Sequence, residues 1–205
     1  MKDMSSVYSG KPSVTVERVT GWDLVLDAAR NTVGKDICGK EPSSDFKARI
    51  TLARHSPIQA AQFRIVFYNL KSWVSVHFVR HFTGVTHFVQ SQRDDRNEWR
   101  DVSRDEIPQS APVKHMMLIN AQEILYISQR RLCMQASKET REAWKMVVDK
   151  LREIGEVELS DLCHPPCWWY GGRCPEMKPC GLCRPFSVEE QNMTWKKELW
   201  DNRLK

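Results

Sequence analysis

The sequence predicts an α/β (α+β) domain in which a mixed sheet packs against long amphipathic helices, with a small Cys-rich segment at its C-terminal end. Three observations predict it. Ser13-Val14-Thr15-Val16-Glu17-Arg18-Val19 alternates with the period of a strand, and Phe63-Arg64-Ile65-Val66-Phe67-Tyr68 is rich in aromatic and branched side chains. Met116 to Leu132 and Ser137 to Ile154 carry apolar residues at helical spacing. Cys163, Cys167, Cys174, Cys180 and Cys183 crowd into one short Pro-rich stretch. We therefore expect a principal domain over residues 1–157 and a Cys-rich segment over 158–205.

Within 205 residues of which 28% are charged, the chain can bury one sizeable core. No stretch reaches the length of a membrane span, and Met1 to Thr15 lacks the apolar centre of a signal peptide, so a cytoplasmic protein is expected. Its net charge of +5 suits a phosphate-bearing ligand or a nucleic acid without choosing between them. Seven cysteines, an odd number, argue against a disulfide framework and for metal ligands or buried thiols.

In order along the chain, Gly21 to Ala29 reads as a helix start with Asp23 as its cap, and Asn31 to Ser44 as a loop holding an unpaired Cys38. Asp45 to Arg54 is helical, and Pro57 pushes Ser56 out of the helical region, placing it to cap the next element. A strand runs to Tyr68, and a helix beginning near Lys71 delivers Arg80 and His81 at its end. Gly84 then permits a sharp turn. His87 to Gln92 can run extended, so that Ser91 and Arg93 share a face as an anion cradle of hydroxyl and guanidinium. Asp94 to Ser103 reads as a solvated charged stretch, and Pro108 and Pro112 bracket a connection. Met116 to Leu132 reads as one long helix with Arg130 and Arg131 at its C-terminal end, and Ser137 to Ile154 as a second one ended by Gly155. Cys133, with no histidine evident beside it, is expected to be a buried structural thiol rather than a nucleophile.

The ordered series His55-Ser56-Pro57-Ile58, Phe63 to Phe67, Phe78-Val79-Arg80-His81, Ser91-Gln92-Arg93, Arg104-Asp105-Glu106-Ile107-Pro108, Asn120-Ala121-Gln122 and Arg131 with Ala136 and Glu139 resembles the flavin-dependent thymidylate synthases. The likeness covers most of residues 55–155. It implies reductive methylation of dUMP to dTMP, with methylenetetrahydrofolate as carbon donor, FAD as cofactor and NADPH as reductant. It also implies a homotetramer whose active sites are shared between subunits. On that resemblance Ser91, Arg93, Arg104 and Gln90 would hold the nucleotide. Arg131 would face the uracil as the catalytic cation, and Ser56, Arg80, His81, Asn120 and Gln122 would contact the flavin. The sequence also departs from the family pattern: Phe82 stands for a third basic residue, one extra residue precedes Ser91, and Phe88 and Val89 lie where an Asn-Glu pair is expected. Gln59 replaces an acidic residue, Gln122 an arginine, Tyr126 an asparagine and Gln135 a histidine.

The Cys-rich segment lies outside that likeness. Cys167, Cys174, Cys180 and Cys183 could close a tetrahedral zinc site, with Cys163 or His164 as alternatives, and an iron-sulfur cluster is a further option. Trp168-Trp169-Tyr170 would be its miniature core, or would stack on bases with Arg173. Ser187 to Lys205 reads as a short helix carrying Trp195, Leu199 and Trp200. A second reading of the whole chain is therefore a zinc-stabilised nucleic-acid-binding protein on a catalytically reduced relative of the same fold.

Overall fold

The computed structural model describes residues 10–96, 103–185 and 187. Much of the 94–103 stretch and nearly all of the 187–205 helix expected above lie outside these residues. Among the described residues four strands form one sheet: β1 (Ser13–Arg18), β2 (Gln62–Lys71), β3 (Val85–Val89) and β4 (Pro112–Asn120), in the order β1-β2-β4-β3. The α+β class is as expected, but every neighbouring pair is antiparallel where a mixed sheet was anticipated. The reason is visible along β4. Val113, His115, Met117 and Ile119 are buried while Lys114 and Leu118 are exposed, the alternation of an antiparallel sheet with one face packed and one face open.

Among the described residues there are seven α-helices: α1 (Trp22–Thr32), α2 (Ser44–Ala53), α3 (Ser72–Val79), α4 (Ala121–Arg131), α5 (Lys138–Glu153), α6 (Val157–Ser160) and α7 (Pro166–Trp169). None of the described helices is long and apolar enough to cross a membrane. The core joins Phe63, Ile65 and Phe67 of β2, Met117 and Ile119 of β4, Phe78 of α3, Ile124 and Ile127 of α4, and Trp144, Val147 and Leu151 of α5. Cys163 belongs to it too, and burial pushes its thiol up to about 12.

The expectation of one helix over Met116 to Leu132 is corrected. Its first part is strand, because the alternate side chains of β4 have the sheet core to enter. The helix starts only where Asn120 caps it, Oδ1 accepting from the Glu123 backbone N–H at 2.8 Å. Two cap expectations also change. Gly21, not Asp23, precedes α1, and Asp23 lies in the first turn. His55 precedes the short 3-10 turn Ser56–Ala60, so Ser56 is inside it and makes no cap bond. By contrast Ser137 caps α5 as its position suggests, accepting from Thr140 N–H at 3.4 Å. Gly84 adopts φ +69 between α3 and β3, and a Cβ there would lie 2.5 Å from Asn120 Nδ2. This turn and the start of α4 therefore pack on one another, and Asn120 N–H donates to Gly84 O at 3.0 Å.

Candidate active site

The end of α3 and the exposed flank of α4 enclose a cleft of about 670 Å³, within the range of small-molecule sites. Arg80, His81, Gln122 and Arg131, four of the residues singled out in the sequence, line it. Phe82, Glu123, Tyr126, Arg130, Cys133, Gln135 and Glu176 complete its walls. Ser56, Gln90, Ser91, Arg93, Arg104 and Asn120 do not line it.

Arg131 is held from two directions. Its Nε donates to His81 Nε2 at 2.9 Å and its Nη2 to the His77 carbonyl at 2.6 Å. Burial first, and then the neighbouring Arg80 charge, hold it below the ordinary arginine value. A partly desolvated guanidinium with a second one beside it gains from any anion that enters. The His77 ring is fixed against Thr140 Oγ1 at 2.9 Å and is held below the ordinary histidine value by burial, then by Arg131 and Arg80.

His81 is itself locked in place. Its carbonyl accepts from His87 Nε2 at 2.6 Å, so that nitrogen carries a hydrogen. His87 Nδ1 must then accept from His115 Nε2 at 2.9 Å, and His115 Nδ1 from Ser75 Oγ at 3.0 Å, if both rings are neutral. Burial, with His87 adding to it, pushes fully buried His115 down to about 4 and so keeps it neutral. A relay of two histidines thus ties the end of α3 to β3, β4 and the core.

The nucleotide cradle expected at Ser91 and Arg93 is not assembled. Strand β3 ends at Val89, and Arg93 turns to Asp95 with two bonds of 3.0 Å while its backbone N–H donates to Ser91 Oγ at 3.3 Å. Gln90 is engaged by β4, its Oε1 accepting from Lys114 N–H at 3.0 Å. Arg104 is exposed, its backbone N–H on Asp94 Oδ1 at 3.0 Å. Asn120 caps α4, and Ser56 is exposed; neither lines the cleft.

Two departures from the family pattern meet: Gln59 Nε2 donates to Gln122 Oε1 at 2.7 Å. A neutral amide pair thus stands where the resemblance leads one to expect a carboxylate and a guanidinium. Glu123, Arg130 and Glu176 are cleft residues that the sequence reading missed. The Asn120-x-x-Glu123 spacing of a helix start could have pointed to Glu123, but nothing local pointed to Glu176.

The zinc expectation is corrected. Cys167 and Cys183 form a disulfide, Cys174 and Cys180 are free, and Cys163 is buried with its Sγ toward the Leu159 carbonyl. Among the described residues no group of three or more His, Cys, Asp or Glu could hold a metal ion. Apolar packing takes the metal's place as anchor. His164 stacks on Trp168 at 4.3 Å, Arg54 lies 3.8 Å above the Trp169 ring, and both tryptophans pack against the core. The segment then reaches back to the cleft, where Glu176 pairs with Arg130 at 3.5 Å and Gln135 Nε2 donates to the Lys178 carbonyl at 2.6 Å. Cys133 is buried, as expected, although it contributes to the cleft wall.

No family model and no curated protein matches this sequence. Solved structures do match. The flavin-dependent thymidylate synthase ThyX of Helicobacter pylori, complexed with FAD and dUMP, superposes with a TM-score of 0.59 at 16% identity, over 74% of this chain and 99% of that one. A second structure of the same enzyme with FAD and dUMP gives 0.59 at 15% identity, over 75% and 99%. The fold is that of the flavin-dependent thymidylate synthases. A UMP/dUMP methylase, PolB of Streptomyces cacaoi, bound with 5-Br dUMP, shares it with a TM-score of 0.57 at 11% identity, over 75% of this chain and 94% of that one. Essentially the whole length of the ThyX chains is thus accommodated in about three quarters of this one.

Proposed function

We propose that this protein is a flavin-dependent methylase of deoxyuridine monophosphate, converting dUMP to dTMP with methylenetetrahydrofolate as carbon donor and NADPH as reductant. The observation that carries the reading is Arg131. It is a partly desolvated cation, gripped by His81 and the His77 carbonyl, on the wall of a small-molecule cleft in a fold whose solved examples carry dUMP or a bromo analogue.

The cleft's donor set fits a flavin. Arg80, His81 and Gln122 present donors along one wall, and Phe82 and Tyr126 add exposed aromatic surface. Bound FAD would supply the redox and one-carbon chemistry that side chains lack. The protein's part is then binding, orientation and fixed charge. Arg131 would stabilise negative charge developing on the pyrimidine ring, and its two protein anchors spare it reorganisation as that charge develops. Arg80 would add positive potential at the mouth.

Ser91, Arg93 and Arg104 remain the proposed nucleotide contacts. Since none of them lines this cleft, a homotetramer in which one subunit's loop completes another's site accords with their placement.

Purified protein is expected to carry yellow flavin absorbance, bleached by NADPH, and to form dTMP from dUMP and methylenetetrahydrofolate. Arg131→Ala should lower that turnover by about 100-fold or more, the usual cost of one preorganised charged donor. Colourless protein that FAD cannot reconstitute, or an Arg131→Ala variant as active as the parent, would refute the assignment.

A further inference from the structure

We propose that Glu123 is a positioning residue that, acting through the imidazole of His81, sets the direction in which Arg131 offers its guanidinium to the ligand. Only the ligand's name rests on the functional reading above; the positioning rests on the Arg131–His81 hydrogen bond and on the Glu123 carboxylate that faces the other nitrogen of the same imidazole.

A guanidinium has donors and no acceptor, so the 2.9 Å bond from Arg131 Nε requires a bare lone pair on His81 Nε2. A neutral imidazole then carries its single hydrogen on Nδ1. That nitrogen faces Glu123 Oε1 at 3.4 Å, and both side chains are more than nine-tenths buried. A carboxylate only accepts, so it favours the Nδ1–H tautomer, the one that leaves Nε2 open to Arg131. The opposite tautomer would set N–H against N–H at Arg131 and face two acceptors with one another at Glu123.

Glu123 is available for this task. At the start of α4 its side chain could have turned back to the Asn120 N–H, but that group already donates to Gly84 O. Glu123 Oε1 has no hydrogen-bond partner among the described residues, so the imidazole is the group it attracts. With Nε on His81 and Nη2 on the His77 carbonyl, Arg131 is pinned along one edge and its remaining N–H groups are left for the cleft.

The test uses the full chain with ¹⁵N-labelled histidine, His81 being assigned by its loss in His81→Asn. In the ligand-free wild type near neutral pH, His81 Nδ1 should be protonated and Nε2 bare. Glu123→Gln, whose amide oxygen still accepts, should keep that tautomer, while Glu123→Ala should shift it toward Nε2–H. In dUMP titrations Glu123→Ala should weaken binding about tenfold, the scale of one buried hydrogen bond, and Glu123→Gln should recover part of it. A protonated Nε2 in the wild type overturns the proposal. So does an unchanged tautomer in Glu123→Ala, the mark of a merely structural role. If Glu123→Ala does not fold, the closer-sized Glu123→Met decides through the same tautomer. If no form binds dUMP, the substrate reading fails while the nitrogen spectra still decide the positioning.

Discussion

Two cationic regions of this molecule invite comparison, the α3–α4 cleft with Arg80 and Arg131, and the loop with Ser91, Arg93 and Arg104. Arg131 is half-buried and bonded to groups about fifty residues away in the chain, whereas Arg93 is exposed and bonded to Asp95 two residues on. One cation is built into the tertiary structure and the other is held by local chain alone. A buried charge has to be offset by fixed partners, so the cleft is preorganised before any ligand arrives. The loop's arginine keeps its solvation and its freedom, and can leave Asp95 for a phosphate at little cost.

The largest expected effect lies on the built side. Arg131→Ala should raise the barrier to dTMP formation by about 3 kcal/mol, read as kcat, whereas a comparable loss from Arg93→Ala in kcat alone would erase the distinction. Next comes acid. His115 titrates well below an ordinary histidine because it is buried. As pH falls from about 6.5 towards 4, the unfolded chain takes up a proton that the folded one refuses. The His115 contribution to stability should therefore fall through that window, by on the order of 3 kcal/mol, and level off below it. Urea midpoints would show this, and His115→Phe should flatten the dependence. Gly84→Ala should cost about 1–3 kcal/mol by thermal unfolding, since it combines a left-handed backbone with a Cβ set against Asn120 Nδ2. Smallest is the loop itself. Arg93→Ala should change stability by less than about 0.5 kcal/mol while raising the Kd for dUMP, so a large drop in melting temperature would show the loop to be structural after all.

The departures from the family pattern sharpen the same contrast. In the built region two of them are bonded to each other, Gln59 Nε2 donating to Gln122 Oε1. At the end of β3, Phe88 and Val89 are exposed, paired in register with Met116 and His115 of β4.

Much of the fold was legible in local pattern. The strand at Ser13–Arg18, the helix bringing Arg80 and His81 to its end, the turn at Gly84 and the Ser137 cap of α5 each follow from side-chain period or backbone preference. Met116 to Asn120 was misread because methionine, leucine and isoleucine serve either period, and only pairing with β2 and β3 decides between them. The thiols were misread for a related reason. Spacing suggests a tetrathiolate, but metal binding needs four sulfurs at one point in space, which spacing does not guarantee.

By itself, then, the sequence determined the α+β class, most element boundaries and the cations Arg80 and Arg131 as site candidates. Only the tertiary structure decided which of the proposed residues meet. It joined His81 to Arg131 across fifty positions, set the Glu123 carboxylate against the same imidazole, and brought Glu176 to the cleft from the C-terminal segment. The physical reason is that backbone preference acts over a few residues. The orientation of a buried guanidinium, by contrast, is set by acceptors that only the packed core brings within 3 Å of it.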